Sequence, residues 1–162
     1  MALTTLGIKN LYVKKKPKII FFGTGNEIVD YKKKSISNWE VRNSNNHYFM
    51  SFGKSLHYEI FDGGVIKDNQ QRKFKEKLKK SLSSGINIFA TSGAISAGKF
   101  DFIPGIIKKM GFKTYFKGVS IKPGRPIMLS KFRKKNKLFF WLTRKSDFMR
   151  CRISFFHLSF AT

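Results

Sequence analysis

The stretch INIFATSGAISAGKFD, residues 86–101, decides the fold. Its first half, INIFATSG (Ile86–Gly93), is a short apolar run rich in β-branched and aromatic residues, as a strand buried on both faces requires. Its second half, TSGAISAGKFD (Thr91–Asp101), is a glycine and hydroxyl turn leading toward a helix. Strand, glycine turn and helix in that order form the repeating unit of an open α/β sheet. In such a sheet, ligands sit outside the carboxyl ends of the strands.

The same unit recurs on either side. KIIFFGTG (Lys18–Gly25) is another apolar run ending in glycines, and GTGNE (Gly23–Glu27) is its turn. Asn43–Leu56 reads as a helix capped by Asn43 or Ser44. HYEIFDGGVIKD (His57–Asp68) reads as a second strand with its exit loop. Asn69–Leu82 sets Phe74, Leu78 and Leu82 four residues apart against a lysine face, the pattern of an amphipathic helix. Asp101–Met110 reads as a short helix with Pro104 in its first turn and Gly111 as its stop. FKTYFKGVSIKPGRPIMLSKF has further strand character around a Lys-Pro-Gly-Arg-Pro turn, and KLFF (Lys137–Phe140) is the last strand. The alternation predicts an α/β fold with a mostly parallel sheet and helices on both faces, in three layers.

The chain has 162 residues, the size of one domain, and 41% hydrophobic residues, enough for a core. Its formal net charge is +24. That balance favours anionic partners: nucleic acid, anionic lipid or phosphorylated ligands. Lys, Asn, Ile and Phe are all abundant, however, and their codons are A/T-rich. A biased genome would raise the four together without selecting a polyanion surface. Cys151, the single cysteine, excludes an internal disulfide and a cysteine-cluster metal site. His47, His57 and His157 lack metal-ligand spacing. The start has no apolar core of signal-peptide length, and no segment approaches the roughly 20 apolar residues of a membrane span. A cytoplasmic location without membrane partners is the expectation.

Three turns carry chemistry. In GTGNE and TSGAISAGKFD, glycines let backbone N–H groups approach an anion, and a following helix N-terminus adds a favourable dipole. Thr91, Ser92 and Ser96 add hydroxyls. In KPGRP (Lys122–Pro126), two prolines stiffen a turn from which Lys122 and Arg125 present cations suited to phosphate. Each turn alone also reads as an ordinary loop of a lysine-rich chain.

Taken in order, GTGNEI, NSN (Asn43–Asn45), TSGAISAGKFD and KPGRP resemble the molybdopterin molybdenumtransferases. More broadly, they resemble the molybdopterin-binding domain shared with molybdopterin adenylyltransferases and gephyrin. That family reads S-T-G-D-E-L, D-S-N, T-S-G-G-V-S-V-G-D-Y-D, K-P-G-K-P and then G-L-P-G-N-P. The likeness covers roughly residues 2–140. It implies a domain binding the phosphate and pterin of molybdopterin. The implied reaction is insertion of molybdate into adenylylated molybdopterin with magnesium, in a homodimer. The residues it implies for the substrate are Thr24, Gly25, Thr91, Ser92, Gly93, Ser96, Gly98, Lys122, Pro123, Gly124 and Arg125. Glu27 and Asp101 are the implied catalytic and metal-binding acids.

The departures bear on the chemistry. The first-loop Asp is Asn26, the D-S-N Asp is Asn43, the acid after the glycine loop is Lys99, and one loop glycine is Ala94. A hard cation wants carboxylate oxygens, so metal binding is expected to weaken while anion binding survives on N–H groups and cations. Residues 1–17 are read as a lead-in segment, 18–140 as an incomplete molybdopterin-binding domain, and 141–162 as an out-of-frame tail. Met1 is expected to be an internal methionine of a longer reading frame. For the tail, the codons TGG CTT ACC CGG AAA TCC GAT TTC ATG are one permitted encoding of Trp141 through Met149. Read one base later and carried into the next codon, they give G-L-P-G-N-P-I-S-C, the segment the family places there. Two further readings of the chain stand beside this one: a small basic domain binding nucleic acid non-specifically through its charge, and a gene remnant without function.

Overall fold

The computed structural model describes residues 2–13, 15–93, 102–120, 127–133 and 136–142. In chain order its elements are α1 (Ala2–Thr5), β1 (Lys18–Thr24), β2 (Ile28–Val29), β3 (Val41–Arg42), α2 (Asn45–Ser55), β4 (Glu59–Ile66), α3 (Gln71–Ser83), β5 (Ile88–Ser92), α4 (Phe102–Lys109), β6 (Phe112–Lys117), β7 (Met128–Phe132) and β8 (Leu138–Leu142). Six strands form one sheet in the order β4-β1-β5-β8-β7-β6. The first four are mutually parallel; β7 runs antiparallel to both β8 and β6, so it alone is reversed in the sheet.

Alternation along the strands divides the core between two faces. Phe22, Phe89, Phe139 and Trp141 point to one face, where Phe74 and Leu78 of α3 and Ile103 and Ile107 of α4 cover them. Ile19, Phe21, Ile88, Ala90, Phe140 and Leu142 point to the other, where Phe49 of α2 covers them. Phe21 stacks on Phe49 at 4.4 Å between ring centroids. Because β1, β5 and β8 are buried on both faces, they read as continuous apolar runs, as the sequence suggested. The three layers and the mostly parallel sheet match expectation.

The connections differ in detail. The expected helix over Asn43–Leu56 is α2, and its cap is Asn43: the Asn43 side-chain oxygen accepts the Asn46 N–H at 3.3 Å, while Ser44 makes no side-chain cap bond. The helix closes with His57 at φ 58, the left-handed position that usually takes glycine. There Tyr58 N–H returns to the Gly53 carbonyl at 2.8 Å. The two-residue strands β2 and β3 were not anticipated. They pair with each other only, as a small parallel ribbon following the first glycine turn. β8 runs to Leu142, two residues into the segment assigned to the tail, and both Trp141 and Leu142 are buried.

Candidate functional site

Register aligns the carboxyl ends of the parallel strands. Thr24 lies opposite Ile66, Gly23 opposite Ser92, and Ser92 opposite Leu142. Both glycine turns therefore leave the sheet side by side, from adjacent strands.

They are fitted to each other. The Thr24 hydroxyl donates to the Ser92 carbonyl at 2.9 Å. Gly93 stands at φ +129, and a Cβ there would lie 2.0 Å from the Thr24 carbonyl oxygen. Only glycine permits that approach. Trp141 closes the arrangement from β8, its indole N–H donating to the Gly93 carbonyl at 2.9 Å in a buried bond. Thr91 is fully buried, and its hydroxyl oxygen finds no hydrogen-bond partner among the described residues. Successive strand residues face opposite sides, so Thr91 and Ser92 offer their hydroxyls to different faces of the sheet.

The first turn is anchored from behind. Gly25 N–H donates to the Ile66 carbonyl at 3.1 Å. The Asn26 side-chain oxygen accepts the Asp68 N–H at 2.9 Å. The Lys67 ammonium donates to the carbonyls of both Asn26 and Ile28. Glu27, half-buried, follows in the same turn, and its carbonyl accepts the Val41 N–H at 2.8 Å.

The NSN start of α2 packs on the end of β1. A Cβ at Gly23 would meet the Asn46 side-chain oxygen at 2.9 Å and the Asn43 amide nitrogen at 3.2 Å. The Asn46 amide donates to Asp62. The other Asn46 side-chain atom, its oxygen, is buried with no hydrogen-bond partner among the described residues.

Thus the structure brings together Thr24, Gly25, Glu27, Thr91, Ser92 and Gly93. Ser96, Gly98, Asp101, Lys122, Pro123, Gly124 and Arg125 lie outside the described residues. The described residues flanking the last four do reach the same edge: Gly118 N–H donates to the Ile127 carbonyl at 2.7 Å, and Met128 lies opposite Trp141.

Sequence reasoning missed Asn46, Lys67 and Trp141. Lys67 looks like any other lysine of this chain, and its bonds cross about forty residues of sequence. Trp141 fell beyond the expected end of the domain. Asn46 could have been found, since a helix start beside a glycine leaves its first turn facing the strand.

The implied magnesium ion fits poorly here. Among the described residues no three His, Cys, Asp or Glu side chains converge. The carbonyls of the first turn that could serve a hard cation already hold an ammonium group. No described helix is long and apolar enough to cross a membrane.

A family model described as "Probable molybdopterin binding domain" matches residues 20–145. The chain is similar to a molybdopterin molybdenumtransferase of Synechococcus elongatus, 26% identical over 130 residues, covering 80% of this chain and 32% of that protein. It is similar to gephyrin of Dictyostelium discoideum, 32% identical over 142 residues, covering 79% of this chain and 19% of gephyrin. Among solved structures, a molybdopterin biosynthesis MoeA protein from Pyrococcus horikoshii superposes with a TM-score of 0.66 at 25% identity, covering 88% of this chain and 34% of that one. The chain thus spans about a third of the length of the molybdenumtransferase relative it matches. With Gly93 abutting Thr24 at the carboxyl edge of a parallel sheet and a family match over most of its length, the chain belongs to the molybdopterin-binding domain family.

Proposed function

We propose that the chain serves molybdenum cofactor biosynthesis by binding molybdopterin or its adenylylated form at the carboxyl edge of β1, β5 and β8. The carrying observation is the abutment of Gly93 on Thr24, which sets the ends of β1 and β5 against each other. N–H groups of the glycine turns suit a phosphate, and the dipole of a following helix adds to the attraction. The Thr91 hydroxyl, without a hydrogen-bond partner among the described residues, supplies a buried polar group. Ser92, Ser96 and Gly98 extend the phosphate cradle. In KPGRP, Lys122 and Arg125 neutralise ligand charge, with Pro123 and Gly124 between them in sequence.

The finer reaction is insertion of molybdate into the adenylylated ligand. In this reading Glu27 and Asp101 keep the acid positions, while Asn26, Asn43 and Lys99 remove three carboxylates. A carboxylate is what a divalent ion or a developing positive charge would need, so the chain is expected to bind the pterin well and to turn it over weakly. A homodimer remains part of this proposal.

Saturable binding of molybdopterin released from a denatured molybdoenzyme tests the reading. Ser96→Ala with Asp101→Asn should abolish it. Nucleic-acid binding through charge alone would instead fall steeply with salt, and no described feature favours it over the pterin.

A further inference from the structure

The first glycine turn contains a cation of its own. Lys67 follows the last residue of β4, and its half-buried ammonium donates to the carbonyl oxygens of Asn26 and Ile28. An ammonium has three donors and no acceptor. Two donors are therefore spent on neutral backbone oxygens. The ion pairs among the described residues are Lys18–Glu59, Lys33–Glu40 and Arg72–Glu76, none of which involves Lys67.

Several polar groups near this cation are already committed to other partners. Asn26 commits its side-chain oxygen to the Asp68 N–H, and Asn43 commits its own to the Asn46 N–H. The Asp62 carboxylate accepts the Asn46 amide and the Gly64 N–H. Glu27 and Asp68 are the acids nearest in sequence to Asn26 and Lys67. With no third acid, histidine or cysteine joining them among the described residues, they fall short of a cage for a hard divalent ion. A divalent ion entering this turn would also meet the ammonium as a like charge.

We infer that Lys67 is the built-in cation of this site, and that the first glycine turn takes no divalent metal. The anionic ligand would then be held by ammonium, amide and backbone N–H groups. The identity of that ligand rests on the proposed function; the exclusion of the metal does not.

The test starts with the unaltered chain, titrated with Mn(2+) and followed by the paramagnetic resonance of the free ion. The expected result is no stoichiometric binding tighter than about 1 mM, the weak end of protein sites for hard cations. One ion per chain bound more tightly would overturn the inference. Asn26→Asp combined with Lys67→Met should create Mn(2+) binding at least about tenfold tighter than the parent's, because a carboxylate replaces an amide and the competing charge is gone. Melting of each variant by circular dichroism shows which are folded, and Lys67→Arg keeps the charge if Lys67→Met does not fold.

In a second arm, molybdopterin affinity is measured in EDTA and in excess MgCl2. Equal affinities within about twofold, with Lys67→Met at least about tenfold weaker, are expected. Tighter binding in magnesium by a factor of about ten or more would count against the inference. Failure of molybdopterin to bind in either buffer would sink the proposed function, and the Mn(2+) titration would still decide the question of the metal.

Discussion

Replacing Gly93 with alanine probes the point where the two glycine turns meet. The new Cβ would stand 2.0 Å from the Thr24 carbonyl oxygen and 2.4 Å from the Thr24 hydroxyl oxygen. Neither atom is the end of a flexible chain, because the hydroxyl is bonded to Ser92 and the carbonyl is backbone. The ends of β1 and β5 would have to separate. A side chain at φ +129 costs about 1–3 kcal/mol in backbone strain. Forcing packed elements apart costs about another 1–3 kcal/mol. The sum of about 2–6 kcal/mol corresponds to a melting temperature lower by about 5–20 °C in a domain of this size. Gly105 is the internal control. It lies within α4 with nothing within 4 Å of the position a Cβ would take, so alanine there should raise the midpoint by about 1–4 °C through helix propensity. The assay is thermal unfolding by circular dichroism on both variants beside the parent. If Gly93→Ala melts with the parent, or if Gly105→Ala falls as far as Gly93→Ala, the close contact of the two turns is not real.

Three further expectations follow from other parts of the molecule. Trp141→Phe removes the side-chain hydrogen bond to the Gly93 carbonyl and should cost about 1–3 kcal/mol, read as a lower urea midpoint. A midpoint equal to the parent's would show that the bond contributes nothing. At Glu40, the Lys33 ammonium and then the Ser37 N–H hold the carboxyl below its usual range. A lowered folded value gives stability that is present above the unfolded carboxyl range and is lost as pH falls through the folded one. The gap between parent and Glu40→Gln should therefore close as the pH falls below the usual carboxylate range, and a gap constant from neutral to acid pH would contradict that sign. Finally, we propose that the residues after Phe140 are read out of frame; the DNA should carry CTT at Leu142 and ACC at Thr143, and any other codon at either position excludes the shift.

Much of the fold was legible because both-face burial leaves a plain signal. Phe21 and Phe22, then Ile88, Phe89 and Ala90, fill opposite faces in turn, so their strands read as uninterrupted apolar runs. Phe74 and Leu78 marked α3 by spacing alone. What stayed hidden depended on partners distant in sequence. β2 and β3 are two residues each and exist only through pairing with each other. The reversed direction of β7 between β8 and β6 was not evident from its composition. Lys67 acquires meaning only when Asn26 and Ile28 are folded over it. At the site, glycines and hydroxyls announced the turns, but the sequence could not show that the Thr24 hydroxyl is already bonded to Ser92 while that of Thr91 has no partner among the described residues.

The most direct test of the pterin-binding claim is equilibrium binding of molybdopterin to the whole chain at two salt concentrations, with Thr91→Val measured beside it. Saturable one-to-one binding that persists at the higher salt and weakens by about 1–3 kcal/mol in Thr91→Val, for one lost polar contact, is the expected result. Absence of saturable binding, or binding that Thr91→Val leaves intact and that salt abolishes, would contradict it.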